Sequence, residues 1–139
     1  MAGSKTDYLE NKVLDHVLGG SDYTRAATVY LALFTARGTD PQSDAGTNLT
    51  EVTGTGYARV AVTNNATNFP AASAGSKTNG TQITFPQAGA SWGTVVAVGV
   101  YDDPTAGNLL FWADLDTSKA VAVDDIVVFD VDALTFTED

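Results

Sequence analysis

Hydrophobic positions change period once along the chain. Leu9, Val13 and Val17 recur at i, i+4 and i+8, with Leu14 and Leu18 widening the stripe, and this spacing predicts a short amphipathic helix over residues 4–18. Ser4 and Asp7 fit the Ser/Thr-x-x-Asp/Glu start signal, and Gly19-Gly20 supply the stop, because glycine enters the left-handed C-cap conformation without a Cβ clash. From residue 28 onward, apolar residues run or alternate in short bursts separated by Gly, Asn, Asp, Pro and Thr, the pattern of strands joined by turns. Strands are predicted at 28–35, 57–63, 81–85, 94–101, 109–115, 126–131 and 134–136. The expected fold class is therefore mainly β: an antiparallel β-sandwich or jelly-roll-like domain over 28–137 behind a short N-terminal α-helix.

Two of these bursts, 28–35 and 94–101, are apolar on both faces. Such strands are expected to be central, covered by the other sheet on one side and by the helix or a neighbouring subunit on the other. That second cover is the argument for a homo-oligomer, with a trimer as the expected state. Gly99 inside the second burst points to a bulge or a close approach by another backbone. Asp102-Asp103-Pro104-Thr105-Ala106-Gly107-Asn108 places turn residues between two apolar strands, so 95–115 is read as a hairpin with a long loop. By contrast, 37–56 and 64–80 are long, polar and aperiodic, and are expected to be mobile or ordered by a neighbour, since such segments bury too little to offset their ordering entropy.

Length bounds the organisation: 139 residues fit a single domain, 1–139, which at that size buries roughly 68–70% of its unfolded surface. No apolar run reaches the roughly 18–20 residues of a membrane helix, and the polar amino terminus lacks a secretory h-region, so synthesis in the cytoplasm and no membrane partner are expected. Cysteine is absent, which excludes disulfides, thiolate nucleophiles and cysteine metal sites. The net charge of −10 is uneven: residues 1–99 carry seven acids and six bases, whereas 100–139 carry ten acids against Lys119 alone. An acidic field of this kind repels phosphate backbones, so no nucleic-acid partner is expected.

Candidate chemistry is sparse. His16 is the only histidine and sits in the last turn of the predicted helix, where it suits the negative end of the dipole better than a catalytic triad. The acid pairs Asp102/Asp103, Asp114/Asp116, Asp124/Asp125 and Asp130/Asp132 lack the spacing of a calcium loop and read as solvated faces that discourage edge pairing. No catalytic residue, cofactor or metal site is therefore assigned, and no enzymatic activity is expected. The residues singled out as a possible interface are Tyr30, Arg37, Tyr57, Arg59, Trp92 and Trp112. Their aromatic rings offer amphipathic contact area for a core, a subunit contact or a sugar platform, and the two arginines can reach acidic groups.

Lys5-Thr6-Asp7-Tyr8-Leu9-Glu10-Asn11 with His16, the burst 28–35, Gly56-Tyr57-Ala58-Arg59, Phe85-Pro86, Trp92-Gly93 and Gly107-Asn108-Leu109-Leu110-Phe111-Trp112 together resemble a family of small tailed-bacteriophage virion proteins usually described as tail-fibre-like. The resemblance spans nearly the whole chain and departs from the family pattern at Asp103-Pro104, where an alanine-containing turn is more usual. It implies a virion location, other virion proteins as partners and a non-enzymatic structural role in the tail or a tail fibre. The rival placements are a capsid decoration protein that clamps the head and a host-glycan-binding module.

Overall fold

The computed structural model describes residues 3–39 and 48–138. Ten strands and one helix follow in the order β1 (Gly3–Lys5), α1 (Asp7–Val17), β2 (Thr28–Ala36), β3 (Thr50–Glu51), β4 (Val60–Thr63), β5 (Ser76–Thr78), β6 (Ile83–Thr84), β7 (Gly93–Tyr101), β8 (Leu109–Val121), β9 (Val128–Phe129) and β10 (Thr135–Thr137), all among the described residues. The main sheet runs β1-β8-β7-β2, and the far edge of β2 is shared by β4 along its first half and β3 near its end. Two two-stranded sheets, β10-β5 and β6-β9, supply the second layer, and every named strand pair is antiparallel. The mainly β sandwich expected from the turn-punctuated apolar bursts is the fold observed.

The core lies between these layers. Leu31, Leu33, Val98 and Val100 from the main sheet pack in one cluster with Ile83, Phe85, Phe129 and Leu134 from the second layer. Leu9 joins the same cluster, so the helix lies on the side of the second layer. It does not cover the other face of β7, which was one of the two covers, helix or neighbouring subunit, expected for the doubly apolar burst. That face instead forms a smaller cluster of Ala32, Phe34, Leu49, Ala97, Tyr101 and Leu109, flanked by Tyr30, Val96 and Trp112. Much of the second apolar face is thus covered by the chain's own side chains.

Helix α1 begins later than predicted. Ser4 lies in β1, opposite Trp112, and the N-cap is Thr6, whose hydroxyl oxygen accepts from the Leu9 amide at 3.4 Å. Thr6 is fully buried and its hydroxyl also donates to the Leu109 carbonyl, so one residue both caps the helix and fastens it to β8. The predicted apolar stripe is only partly used. Leu9 is buried, whereas Val13, Leu14, Val17 and Leu18 are 37, 58, 67 and 76% exposed, because α1 meets the body through its first turns and then diverges.

Gly99 is a site of close approach, but to side chains: a Cβ there would lie 2.6 Å from Phe34 Cε2 and 2.8 Å from Leu109 Cδ1. The register breaks of the β7–β8 hairpin fall on either side of it, at Val95/Ala97 and Val100/Tyr101. The segment 64–80 is ordered by its own chain, contrary to the expectation from its composition. Asn65 Oδ1 accepts the Thr67 and Asn68 amides at 3.1 and 2.9 Å, and Ser73 and Ser76 exchange both backbone hydrogen bonds at 2.9 Å. Asn79 is fully buried, donating to the Thr81 and Asp130 carbonyls and accepting from the Leu134 amide. Side-chain hydrogen bonds replace apolar burial here, which hydropathy does not register. Of the other long polar segment, 37–56, residues 40–47 lie outside the described residues.

Candidate functional site

The six residues singled out from the sequence lie on both sides of the main sheet. Tyr57 and Trp92 pack on the side of the second layer, whereas Arg59, at the edge of the sheet, reaches the other face, where it stacks on Tyr101. Tyr57 packs edge-on to Trp92 with ring centroids 5.4 Å apart and lies parallel to Phe85 at 6.5 Å. The Trp92 indole donates to the Thr55 carbonyl at 3.0 Å, and Gly54 makes room for it, since a Cβ there would lie 2.4 Å from Trp92 Cδ1.

Arg59 is the hub of the polar contacts. Its Nε and one terminal nitrogen donate to the two carboxylate oxygens of Glu51, both at 2.9 Å, and the other terminal nitrogen donates to the carbonyls of Asp103 and Ala106 at 2.9 and 2.8 Å. The guanidinium also lies 3.5 Å from the Tyr101 ring centroid. Tyr57 OH donates to Glu51 at 2.7 Å and accepts from the Leu33 amide at 3.1 Å. Burial opposes the arginine charge, but the hydrogen bonds and charge of Glu51 outweigh it and push its pKa up. Burial, with a smaller push from Glu51, also raises the phenols of Tyr57 and Tyr101. The Arg59 side chain is only 6% exposed. This constellation is a clamp joining β3, the segment before β4 and the 102–108 loop.

Tyr30, Arg37 and Trp112 lie on the face opposite Tyr57 and Trp92. Tyr30 stands opposite Tyr101 and Trp112 opposite Gly99. The Arg37 Nε bonds Asp114 Oδ1 at 2.9 Å and its guanidinium carbon is 5.7 Å from the Trp112 ring centroid. Arg37 and Asp114 remain 43 and 37% exposed, so this pair is open to solvent as the Arg59 pair is not. Trp112 is half-buried, and its indole N–H is shielded from solvent without a hydrogen-bond partner. An orphaned buried donor of this kind costs on the order of 1–3 kcal/mol.

Asp114 and Asp116 lie within β8, as strand alternation anticipates, whereas Asp102, Asp103 and Asp125 close turns and Asp130 and Asp132 tie distant segments together. Asp102 accepts both the backbone and side-chain N–H groups of Asn108, at 2.7 and 2.9 Å, and Asp103 accepts from the Thr105 amide at 3.2 Å. Asp125 accepts from the Ala122 amide, Asp130 from Gln82 and Asp132 from Thr78. Among the described residues no three His, Asp or Glu side chains converge as metal ligands. His16 Nδ1 accepts the Tyr23 amide at 3.1 Å, which ties the segment after α1 back onto the helix. Glu51 binds both Tyr57 and Arg59, and Asn79 joins three backbone segments, yet sequence reasoning missed both. The available signal for Glu51 was a lone acid between Thr50 and Val52 in a Thr-rich stretch, which fixes no partner.

No curated protein matches the chain. The family described as Podophage GP4 fiber I protein gp80 matches residues 4–137, a span that covers the helix, all ten strands apart from the first residue of β1, the Arg59 clamp and the Trp112 face alike. On that match, the chain belongs to this phage fibre protein family.

Proposed function

We propose that the chain is a non-enzymatic structural subunit of the tail or tail-fibre apparatus of a tailed phage, present in several copies and held in place by other virion proteins. The observation that carries this reading is the fibre-family match over residues 4–137. The chemistry is in keeping with it. The strongest polar constellation, around Arg59, is consumed in holding loops, and His16 is consumed in holding the segment after the helix. The attachment surface on this reading is the face bearing Tyr30, Arg37 and Trp112, where aromatic area and an exposed ion pair occur together.

Quantitative mass spectrometry of purified particles, combined with antibody labelling in the electron microscope, tests the placement. A low copy number with label on the tail is expected. A copy number equal to that of the major shell protein, with label on the head, would overturn it in favour of capsid decoration. Non-enzymatic action is tested by His16→Gln, whose side-chain oxygen still accepts the Tyr23 amide: particles carrying it are expected to remain fully infectious.

A further inference from the structure

A cavity of about 330 Å³ opens between α1 and the body of the fold. Its walls are apolar, with Leu9 and Val13 on the helix side and Phe111 and Phe136 opposite. Four charged residues line it, Lys5, Arg25, Lys77 and Glu138, and Lys5 pairs with Glu138. Arg25 donates to the Asn64 carbonyl at 2.9 Å and Lys77 to the Phe69 carbonyl at 3.2 Å, so neither is held by a carboxylate among the described residues. In a chain of net charge −10, two such cations beside an apolar cavity mark a place for an apolar group accompanied by acids. The outward residues Leu14, Val17 and Leu18 of the helix extend the apolar surface beyond it.

The complement lies at the other end of β8. Beyond Val121 the turn Ala122-Val123-Asp124-Asp125 is closed by the Asp125 amide donating to the Ala122 carbonyl at 3.1 Å. It presents Val123 and Ile126, 56 and 52% exposed, beside Asp124 and Asp125. The cavity is bounded by Leu110 and Phe111 at the start of β8, and the turn follows its last residue. The two ends of β8 pair with Tyr101 and Gly93, eight extended steps of roughly 3.3 Å apart on β7, which sets the two surfaces about 26 Å apart along the sheet, so they do not meet within one chain.

We propose that they meet between copies: the 122–126 turn of one protomer docks into the cavity beside α1 of the next, Val123 and Ile126 filling the apolar volume while Asp124 and Asp125 face Arg25 and Lys77. Such a contact uses different surfaces on the two partners and leaves one of each unfilled at the ends of the assembly. Because the surfaces sit at opposite ends of the longest strand, repetition gives an end-to-end series instead of a small closed ring. The contact goes beyond the functional reading above and is independent of whether the chain resides on the tail or the head.

The absence of cysteine makes the test direct. Full-length chains carrying Val13→Cys and chains carrying Ile126→Cys are oxidised separately and as a mixture, each after circular dichroism has verified its fold. The mixture is expected to give a covalent heterodimer, with each variant alone giving at least tenfold less homodimer. Adding Arg25→Glu and Lys77→Glu to the Val13→Cys chain is expected to reduce heterodimer yield about tenfold, and pairing that chain with one carrying Asp124→Lys and Asp125→Lys beside Ile126→Cys to restore it. No heterodimer, predominant Val13→Cys homodimer, or a yield indifferent to the charge reversals would each overturn the proposed contact.

Discussion

Arg59 donates to both oxygens of Glu51 and to two carbonyls of the 102–108 loop, so its removal leaves a carboxylate and two carbonyls short of their donors at once. Arg59→Ala is expected to cost roughly 3 kcal/mol or more, the range for breaking one side of a buried ion pair. Arg59→Lys should recover only part of this, because an ammonium cannot engage both carboxylate oxygens and stack on Tyr101 in one geometry. Urea unfolding at constant pH measures both, and a loss below about 1 kcal/mol for Arg59→Ala would mean that the clamp contributes little. Ala74 presents the opposite case. It has φ +51 and is followed by Gly75 at φ +73, so Ser73-Ala74-Gly75-Ser76 is a tight two-residue turn with both central residues left-handed. A left-handed alanine costs roughly 1–2 kcal/mol. Ala74→Asn, which installs the Asn-Gly pair this turn favours, is therefore expected to raise the urea midpoint by an amount equivalent to about 0.5–1 kcal/mol without changing the m-value.

Legibility at the scale of elements followed the apolar signal. The strands β2, β7 and β8 and the hairpin joining the last two were readable from their composition, since long apolar bursts bounded by turn residues have few alternative uses. Three strands were not. β1, β3 and β5 have the sequences GSK, TE and SKT and contain no hydrophobic residue, so only the partner strands hold them extended. The site was legible in part for a similar reason. Arg59 and Trp112 stood out by residue type, while Glu51 and Asn79 acquire their roles from segments distant in sequence. The helix shows the same limit, because Thr6 was passed over as cap in favour of Ser4 when its second role, bonding to β8, is a tertiary one. Removing that hydroxyl should therefore exceed an ordinary cap loss. Thr6→Ala is expected to cost about 2 kcal/mol, against about 1 kcal/mol for a typical cap. A loss below about 1 kcal/mol for Thr6→Ala in thermal unfolding would contradict the second role.

For the whole molecule, the buried phenols link stability to alkaline pH. Tyr57, Tyr101 and Tyr23 are all held above the ordinary tyrosine value of 10.0, with burial the largest cause in each. In the unfolded chain these phenols release their protons near the ordinary value, whereas the folded chain retains them, so above that pH the unfolded state binds fewer protons than the folded one. The sign follows: this stabilisation is fully present below about pH 10 and is lost progressively as pH rises beyond it, by about 1.4 kcal/mol per pH unit for each proton of difference. Tyr57 is expected to dominate, because its hydroxyl sits against Glu51 and deprotonation would set a phenolate 2.7 Å from a carboxylate oxygen while also removing the donor of that bond. Tyr57→Phe loses both hydrogen bonds of the hydroxyl and is less stable at neutral pH, yet its unfolding free energy should decline less steeply above pH 10 than that of the wild-type chain. Urea titrations of both chains from neutral to strongly alkaline pH separate the two effects, since the first shifts the curve and the second changes its slope. Parallel curves throughout would show that Tyr57 ionises as readily in the folded chain as in the unfolded one, and the clamp around Arg59 would then be open to water at its centre.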